Sequence, residues 1–176
     1  MGDSQLKLVY SSESIQERIK VLAQQINTDF QGHKLVVVCV LKGAFMFFAD
    51  LVRRLTITPE IDFIRVASYG GQTESSGEIR LIKDLENSLK SKHVLLVEDV
   101  VDSGNSLDFL HKELSARGPE SITTCALVDK RERRSVEVSV EYAGFILDQG
   151  FIVGYGMDFA EQFRELDAIY EIVENG

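Results

Sequence analysis

Residues 97–107 read Val-Glu-Asp-Val-Val-Asp-Ser-Gly-Asn-Ser-Leu and place two acids inside an apolar strand pattern rather than after it. An unpartnered carboxylate in such a place is costly, so the fold must bring something to Glu98 and Asp99. Two valines follow, then Asp102, a small polar loop with one glycine, and a helical pattern. The loop from Asp102 to Ser106 therefore offers successive backbone N–H groups at a helix N-terminus. These donors lack intrahelical partners and favour an anion. Gly104 permits a tight turn and the close approach of a phosphate, and Ser103 and Ser106 add hydroxyl donors. Asp102 or Ser103 could be an ordinary helix cap, but a cap leaves the acids within the strand unexplained. Three carboxylates beside an anion site raise one another's pKa unless they are neutralised. A hard divalent cation and a polyhydroxylated substrate would neutralise them. The segment asks for a phosphate, a sugar and Mg²⁺ in one place, and the lysine of a Walker A loop is absent.

The rest of the chain supplies a layered frame for this loop. Residues 12–30 predict a helix, capped by Ser12 or Ser14, with Ile15, Ile19, Leu22, Ala23 and Ile26 at helical spacing. Leu35–Leu41 is a β-branched run without alternation, the pattern of a strand covered on both faces. Residues 44–55 predict a second helix, 61–69 a strand, and 78–85 a further extended segment. His93–Val101 is another buried strand, followed by a helix over 107–117 and a strand over 121–128. Residues 136–140, Tyr142–Leu147 and 151–155 are short extended segments, read as an add-on beside the sheet. This alternation predicts an α/β fold with a largely parallel sheet and right-handed crossovers. Ligands in such sheets bind at the carboxyl ends of strands. No repeat or linker interrupts residues 1–176, which predicts one compact domain with a small appended lobe.

Charge and cysteine usage exclude several roles. A formal net charge of −9 is a poor match to a nucleic-acid backbone, and the only basic run is Lys130-Arg131-Glu132-Arg133-Arg134. Cys39 and Cys125 each sit in an apolar run and read as buried, reduced thiols, consistent with the cytoplasm. His33, His93 and His111 match no metal motif. The start of the sequence carries no apolar signal region, and no apolar stretch approaches the roughly 18 residues of a membrane span.

The segment at 97–107 closely resembles the phosphoribosyl-diphosphate signature of type I phosphoribosyltransferases: an apolar strand, two acids, two apolar residues, then Asp-Ser/Thr-Gly and Ser/Thr. Four more segments, in matching order and spacing between about Leu35 and Leu166, resemble the hypoxanthine-guanine branch. Leu41-Lys42-Gly43 resembles its pyrophosphate loop, with an unusual, often cis, peptide. Ser68-Tyr69-Gly70 and the polar stretch 71–77 resemble its mobile flap, which would keep water from an oxocarbenium-like centre. Lys130, ending the strand after the signature helix, resembles the lysine on the purine 6-oxo group. Residues 151–158, Phe-Ile-Val-Gly-Tyr-Gly-Met-Asp, resemble the purine pocket, with one departure: Gly150 stands where many relatives carry lysine.

The resemblance implies a type I phosphoribosyltransferase fold, with a mostly parallel central sheet flanked by helices and a small hood lobe formed mainly by C-terminal segments. It implies transfer of the 5-phosphoribosyl group from phosphoribosyl diphosphate to hypoxanthine or guanine, with Mg²⁺ as cofactor and a homodimer or homotetramer as assembly. Asp102 would be the general base. Glu98, Asp99, Asp102, Ser103, Gly104, Asn105 and Ser106 would bind the phosphoribosyl group, and Lys42, Gly43 and Arg164 the pyrophosphate. Lys130, Phe151, Ile152 and Asp158 would bind the purine, and Glu98, Asp99 and Asp158 the metal. A cationic Lys130 favours a 6-oxo over a 6-amino base. Xanthine as the preferred base, and a non-catalytic sensor of phosphoribosyl diphosphate, stand as alternatives.

Overall fold

A computed structural model describes residues 4–69 and 78–174. The elements run β1 (Ser4–Tyr10), α1 (Ser12–Asp29), β2 (Leu35–Leu41), α2 (Phe45–Val52), β3 (Glu60–Tyr69), β4 (Glu78–Lys83), β5 (His93–Val101), α3 (Asn105–Ser115), β6 (Ser121–Lys130), β7 (Tyr142–Leu147), β8 (Ile152–Val153) and β9 (Ile169–Glu174). Six strands form the main sheet in the order β4-β3-β2-β5-β6-β7. All neighbours are parallel except the edge pair β3–β4.

The β-branched runs explain the layering. In β2, Val36, Val38 and Val40 pack with α3, while Leu35, Val37 and Cys39 pack with α1 and α2. Successive side chains of a strand point to opposite faces, so a run buried on both must be apolar throughout. On α1, the five apolar residues at helical spacing are all buried. Its cap is Ser11 rather than Ser12 or Ser14: the Ser11 hydroxyl oxygen accepts the Ser14 N–H at 3.3 Å. Both cysteines are free and buried, and burial pushes the Cys39 thiol up to about 12.

Three expectations need correction. Tyr142–Leu147 is not an add-on but the sixth strand of the main sheet, parallel to β6. Residues 136–140 form no strand, and of 151–155 only Ile152–Val153 is extended in a ladder. The second sheet, β1-β9-β8, is antiparallel and takes one strand from each end of the described chain plus the two residues of β8.

The strand order positions the site. The chain steps from β2 outward to β3 on one side, and from β5 to β6 and β7 on the other. The crevice between such oppositely running halves opens at the carboxyl ends of the strands. Here it lies between the ends of β2 and β5, where Lys42 and residues 98–106 emerge.

Candidate active site

The loop after β5 forms a pocket of about 140 Å³ lined by Glu98, Val100, Val101, Asp102, Ser103, Gly104, Ser106 and Leu107. Helix α3 starts at Asn105, two residues earlier than expected. Gly104 is its N-cap with φ +87°, a left-handed conformation that favours glycine. The loop is held from outside by the segment after β6. Ser135 and Val136 donate their N–H groups to the Ser103 carbonyl at 3.0 and 3.2 Å. The Arg134 guanidinium donates to the carbonyls of Asp102 (3.0 Å), Val101 (3.2 Å) and Lys130 (3.0 Å), and bonds the buried Asp129 carboxylate. Arg134 thus ties the loop after β5 to the end of β6. In the sequence it was only the last residue of a basic run. What marks it is a fork of donors close to strand ends whose carbonyls need partners.

Glu98 and Asp99 end up on different surfaces because they are adjacent in a strand. Glu98 faces the pocket of the loop. The Asp99 carboxylate lies against Gly43, where an added Cβ would fall 1.7 Å from its Oδ2. Burial pushes the Glu98 carboxyl well up, and the neighbouring Asp99 charge adds to that. Burial also raises Asp99; hydrogen bonds from backbone N–H groups and the Arg164 guanidinium oppose the rise, and the Asp158 charge adds to it. Two acids so disfavoured as charges suit a hard cation. Among the described residues no three His, Cys, Asp or Glu side chains converge as a closed metal cage. Magnesium is commonly held by one or two carboxylates plus substrate oxygens.

Asp102 meets the end of β6. Its Oδ2 lies 3.8 Å from the Lys130 ammonium and 4.0 Å from Arg133. Its Oδ1 is buried and finds no hydrogen-bond partner among the described residues. Lys130 itself is only 6% exposed, so it is not one solvated charge of a basic run. A buried ammonium beside a carboxylate with a spare acceptor is a matched pair for a ring edge that carries one acceptor and one N–H.

The remaining residues come from distant parts of the chain. The Leu41–Lys42 peptide is cis. The Lys42 ammonium pairs with both Glu161 carboxylate oxygens, at 3.0 and 2.9 Å. The Arg164 guanidinium bonds Asp158 at 2.8 Å and donates to the Gly156 carbonyl at 2.8 Å; its Nε is buried and finds no partner among the described residues. Asp158 is therefore already engaged by Arg164 and by the Glu161 N–H (2.9 Å), which makes it a weaker candidate metal ligand than Glu98 or Asp99. Gly156, at φ +98°, packs so closely on the Gly43 carbonyl that a Cβ would lie 2.1 Å from it. Ile152 is buried in β8, whereas Phe151 is 49% exposed and meets Phe159 edge-on at 5.5 Å. Phe151 is thus not a core residue. Ser68 and Tyr69 lie in β3 next to β4 by backbone pairing; the flap segment 70–77 lies outside the described residues. Glu161, and the hydrogen bond from the Tyr155 hydroxyl to Asp50 that ties the 154–156 turn to α2, carried no signal in the sequence, because both depend on a contact across more than 100 residues.

Comparison with known proteins matches residues 8–160 to the phosphoribosyl transferase domain family. The chain is 42% identical over 172 residues to a hypoxanthine-guanine phosphoribosyltransferase of Dictyostelium discoideum, covering 96% of both chains. A bifunctional protein TilS/HprT of Listeria monocytogenes is 41% identical over 163 residues, which span 93% of this chain and 25% of that protein. A crystal structure of a hypoxanthine-guanine phosphoribosyltransferase from Bacillus anthracis, with HEPES in its active site, superposes with TM-score 0.91 at 45% identity, covering 96% of this chain and all of that one.

Proposed function

The chain belongs to the phosphoribosyltransferase family, and on that premise we propose that it salvages purines by transferring the 5-phosphoribosyl group from phosphoribosyl diphosphate to hypoxanthine or guanine, with release of pyrophosphate. One observation carries the choice of base: the buried Lys130 ammonium stands 3.8 Å from Asp102 beside the loop pocket. A 6-oxopurine presents its exocyclic oxygen to Lys130 and the neighbouring ring nitrogen to Asp102. Adenine would instead turn an amino donor toward a cation.

Each residue then has a task. The N–H groups and hydroxyls of Ser103, Gly104, Asn105 and Ser106 receive the 5′-phosphate at the start of α3. Glu98 and Asp99 hold the ribose hydroxyls and are the residues that would bind Mg²⁺, with Asp158 at the margin of that site. When bound, Mg²⁺ would neutralise charge on the pyrophosphate leaving group. Lys42 and Arg164 supply fixed positive charge on the same side, and Gly43 lets the loop lie against Asp99. Asp102 accepts the ring proton as the opposite ring nitrogen bonds to the anomeric carbon. Phe151 offers a ring face for stacking, and the Ile152 backbone reads the base edge. Ser68 and Tyr69 begin the flap. The β1-β9-β8 sheet is the hood of a single domain of residues 1–176.

A coupled assay of pyrophosphate release tests the reading with hypoxanthine, guanine, xanthine and adenine, each with and without Mg²⁺. Turnover with hypoxanthine or guanine, dependent on Mg²⁺ and absent with adenine, is expected. Preference for xanthine would move the specificity, and no release with any base would overturn the activity. The same reading places the protein in the cytoplasm. It also makes the protein a homodimer or homotetramer, with the exposed Phe45, Ile61 and Phe63 available for association; light scattering gives the mass directly. Among the described residues no helix is long and apolar enough to cross a membrane.

A further inference from the structure

The turn at residues 158–164 puts an acid onto both cations assigned to pyrophosphate. Glu161 reaches the Lys42 ammonium with both carboxylate oxygens, at 3.0 and 2.9 Å, and its Oε2 lies 3.5 Å from Arg164 Nη2. No other acid is paired with Lys42 among the described residues. The backbone that delivers Glu161 is strained: Ala160, Glu161 and Phe163 have φ of +51°, +63° and +76°. Non-glycine residues adopt that region at a conformational cost, and they persist only where surrounding contacts fix them. Asp158 is one such contact, because its Oδ2 accepts the Glu161 N–H. The paired bridge between Phe159 and Gln162 closes the turn.

We propose that Glu161 is an internal competitor for pyrophosphate: it occupies Lys42 and touches Arg164 when the leaving-group side is free, and it is displaced when pyrophosphate or phosphoribosyl diphosphate binds there. The inference rests on the assignment of Lys42 to pyrophosphate made above. The pair is suited to exchange. Both partners are exposed at 44% and 67% of their side chains, and an exposed pair is weak enough to yield to a polyanion. A single carboxylate competes poorly with a multiply charged phosphate while substrate is abundant. It still keeps the cations from holding the product too long. Glu161 acts through Lys42 and Arg164 and not on the reacting atoms, so it is a positioning residue.

The test is titration calorimetry of pyrophosphate, with and without Mg²⁺, into the wild type and the variants Glu161→Gln, Glu161→Asp and Lys42→Met. Steady-state product inhibition by pyrophosphate is measured beside it. Glu161→Gln removes the charge but keeps the shape, and should bind pyrophosphate about two- to fivefold more tightly, the range of one exposed ion pair. It should also show a lower KM for phosphoribosyl diphosphate and slower turnover at saturation. Glu161→Asp, still an anion, should sit between Glu161→Gln and the wild type. Lys42→Met should weaken pyrophosphate binding and abolish most of the gain when combined with Glu161→Gln. A purely structural glutamate gives the opposite sign, since loosening the turn weakens ligand binding. Unchanged or weaker binding in Glu161→Gln, with Lys42→Met still impaired, overturns the competitor role and leaves the pyrophosphate assignment standing. Unchanged binding in Lys42→Met overturns both.

Discussion

Two halves of the same crevice are built in different ways. The half at the end of β5 is one continuous segment, Glu98 to Ser106, in which strand, turn and helix start follow one another within nine residues. The half facing it is assembled from Lys42–Gly43 and the stretch 156–164, more than 100 residues apart in the chain, which meet only through tertiary packing. A continuous segment carries its geometry in local backbone preferences. An assembled one depends on how closely unrelated pieces of chain can approach. Removing chemistry should therefore be the way to disable the first half, and adding volume the way to disable the second.

The largest effect is expected in the continuous half. Asp102→Asn keeps the size of the side chain and removes the acceptor proposed to take the ring proton. Turnover should fall about 10²–10⁴-fold, the usual weight of a general base, while the KM for phosphoribosyl diphosphate changes little. Steady-state kinetics with hypoxanthine decides it, and turnover equal to wild type would remove Asp102 from that role. The strut behind the loop comes next. Arg134→Met deletes the donors to four carbonyls and leaves the buried Asp129 carboxylate with the more exposed Arg131 as its remaining ion-pair partner. Because Arg131 stays on Asp129, the cost should fall at the low end of breaking a buried pair, about 3 kcal/mol. Arg134→Lys should rescue little of it, because a point charge cannot replace the fork. Chemical denaturation measures both, and a Lys variant as stable as wild type would show that charge alone suffices.

How much of each half was legible follows from the same difference. The acids inside His93–Val101, the loop after them and the apolar runs of Leu35–Leu41 and Tyr142–Leu147 stand in the sequence at the bounds the fold gives them. Their signals are local: short apolar runs, β-branched throughout much of Leu35–Leu41, and a glycine at a left-handed position. The strands Ser4–Tyr10 and Ile169–Glu174 were not legible, because each is a mixed polar and apolar edge that becomes a strand only on meeting the other. Residues 136–140 have the alternation of a strand but are drawn off by the contacts of Ser135 and Val136 to the Ser103 carbonyl. In the assembled half, motif resemblance pointed to Lys42, Asp158 and Arg164. Glu161, which links Lys42 to Arg164, lies in no pattern, and its role appears only when Lys42 is 2.9 Å away.

The assembled half should fail by crowding. Gly156→Ala puts a methyl group where the Gly43 carbonyl lies and forces a side chain onto φ +98°. Overpacking and a left-handed alanine together cost about 2–4 kcal/mol, visible as a lower melting temperature. Pyrophosphate affinity should fall with it, since Gly43 is pushed toward Asp99, whereas binding of a simple 5′-phosphate to the loop after β5 should survive. Loss of both in parallel would mean that the two halves are one mechanical unit.

The smallest effect concerns charge rather than volume. Burial and the neighbouring Asp99 raise the Glu98 carboxyl in the folded chain, so the folded state holds this proton more tightly than the unfolded state does. Stability then falls as pH rises from the ordinary glutamate range, about 4.3, through the raised folded value. Glu98→Gln cannot ionise. Without ligand it should be more stable than wild type at pH 7–8, by the ordinary ~1 kcal/mol of a single substitution, and the two should converge toward pH 4. Mg²⁺ with phosphoribosyl diphosphate should reverse the order, raising the melting temperature of wild type more than that of the variant. A Glu98→Gln protein less stable than wild type at every pH would show that the folded chain already stabilises this charge, and that the acids within the strand do not depend on a cation to offset their burial.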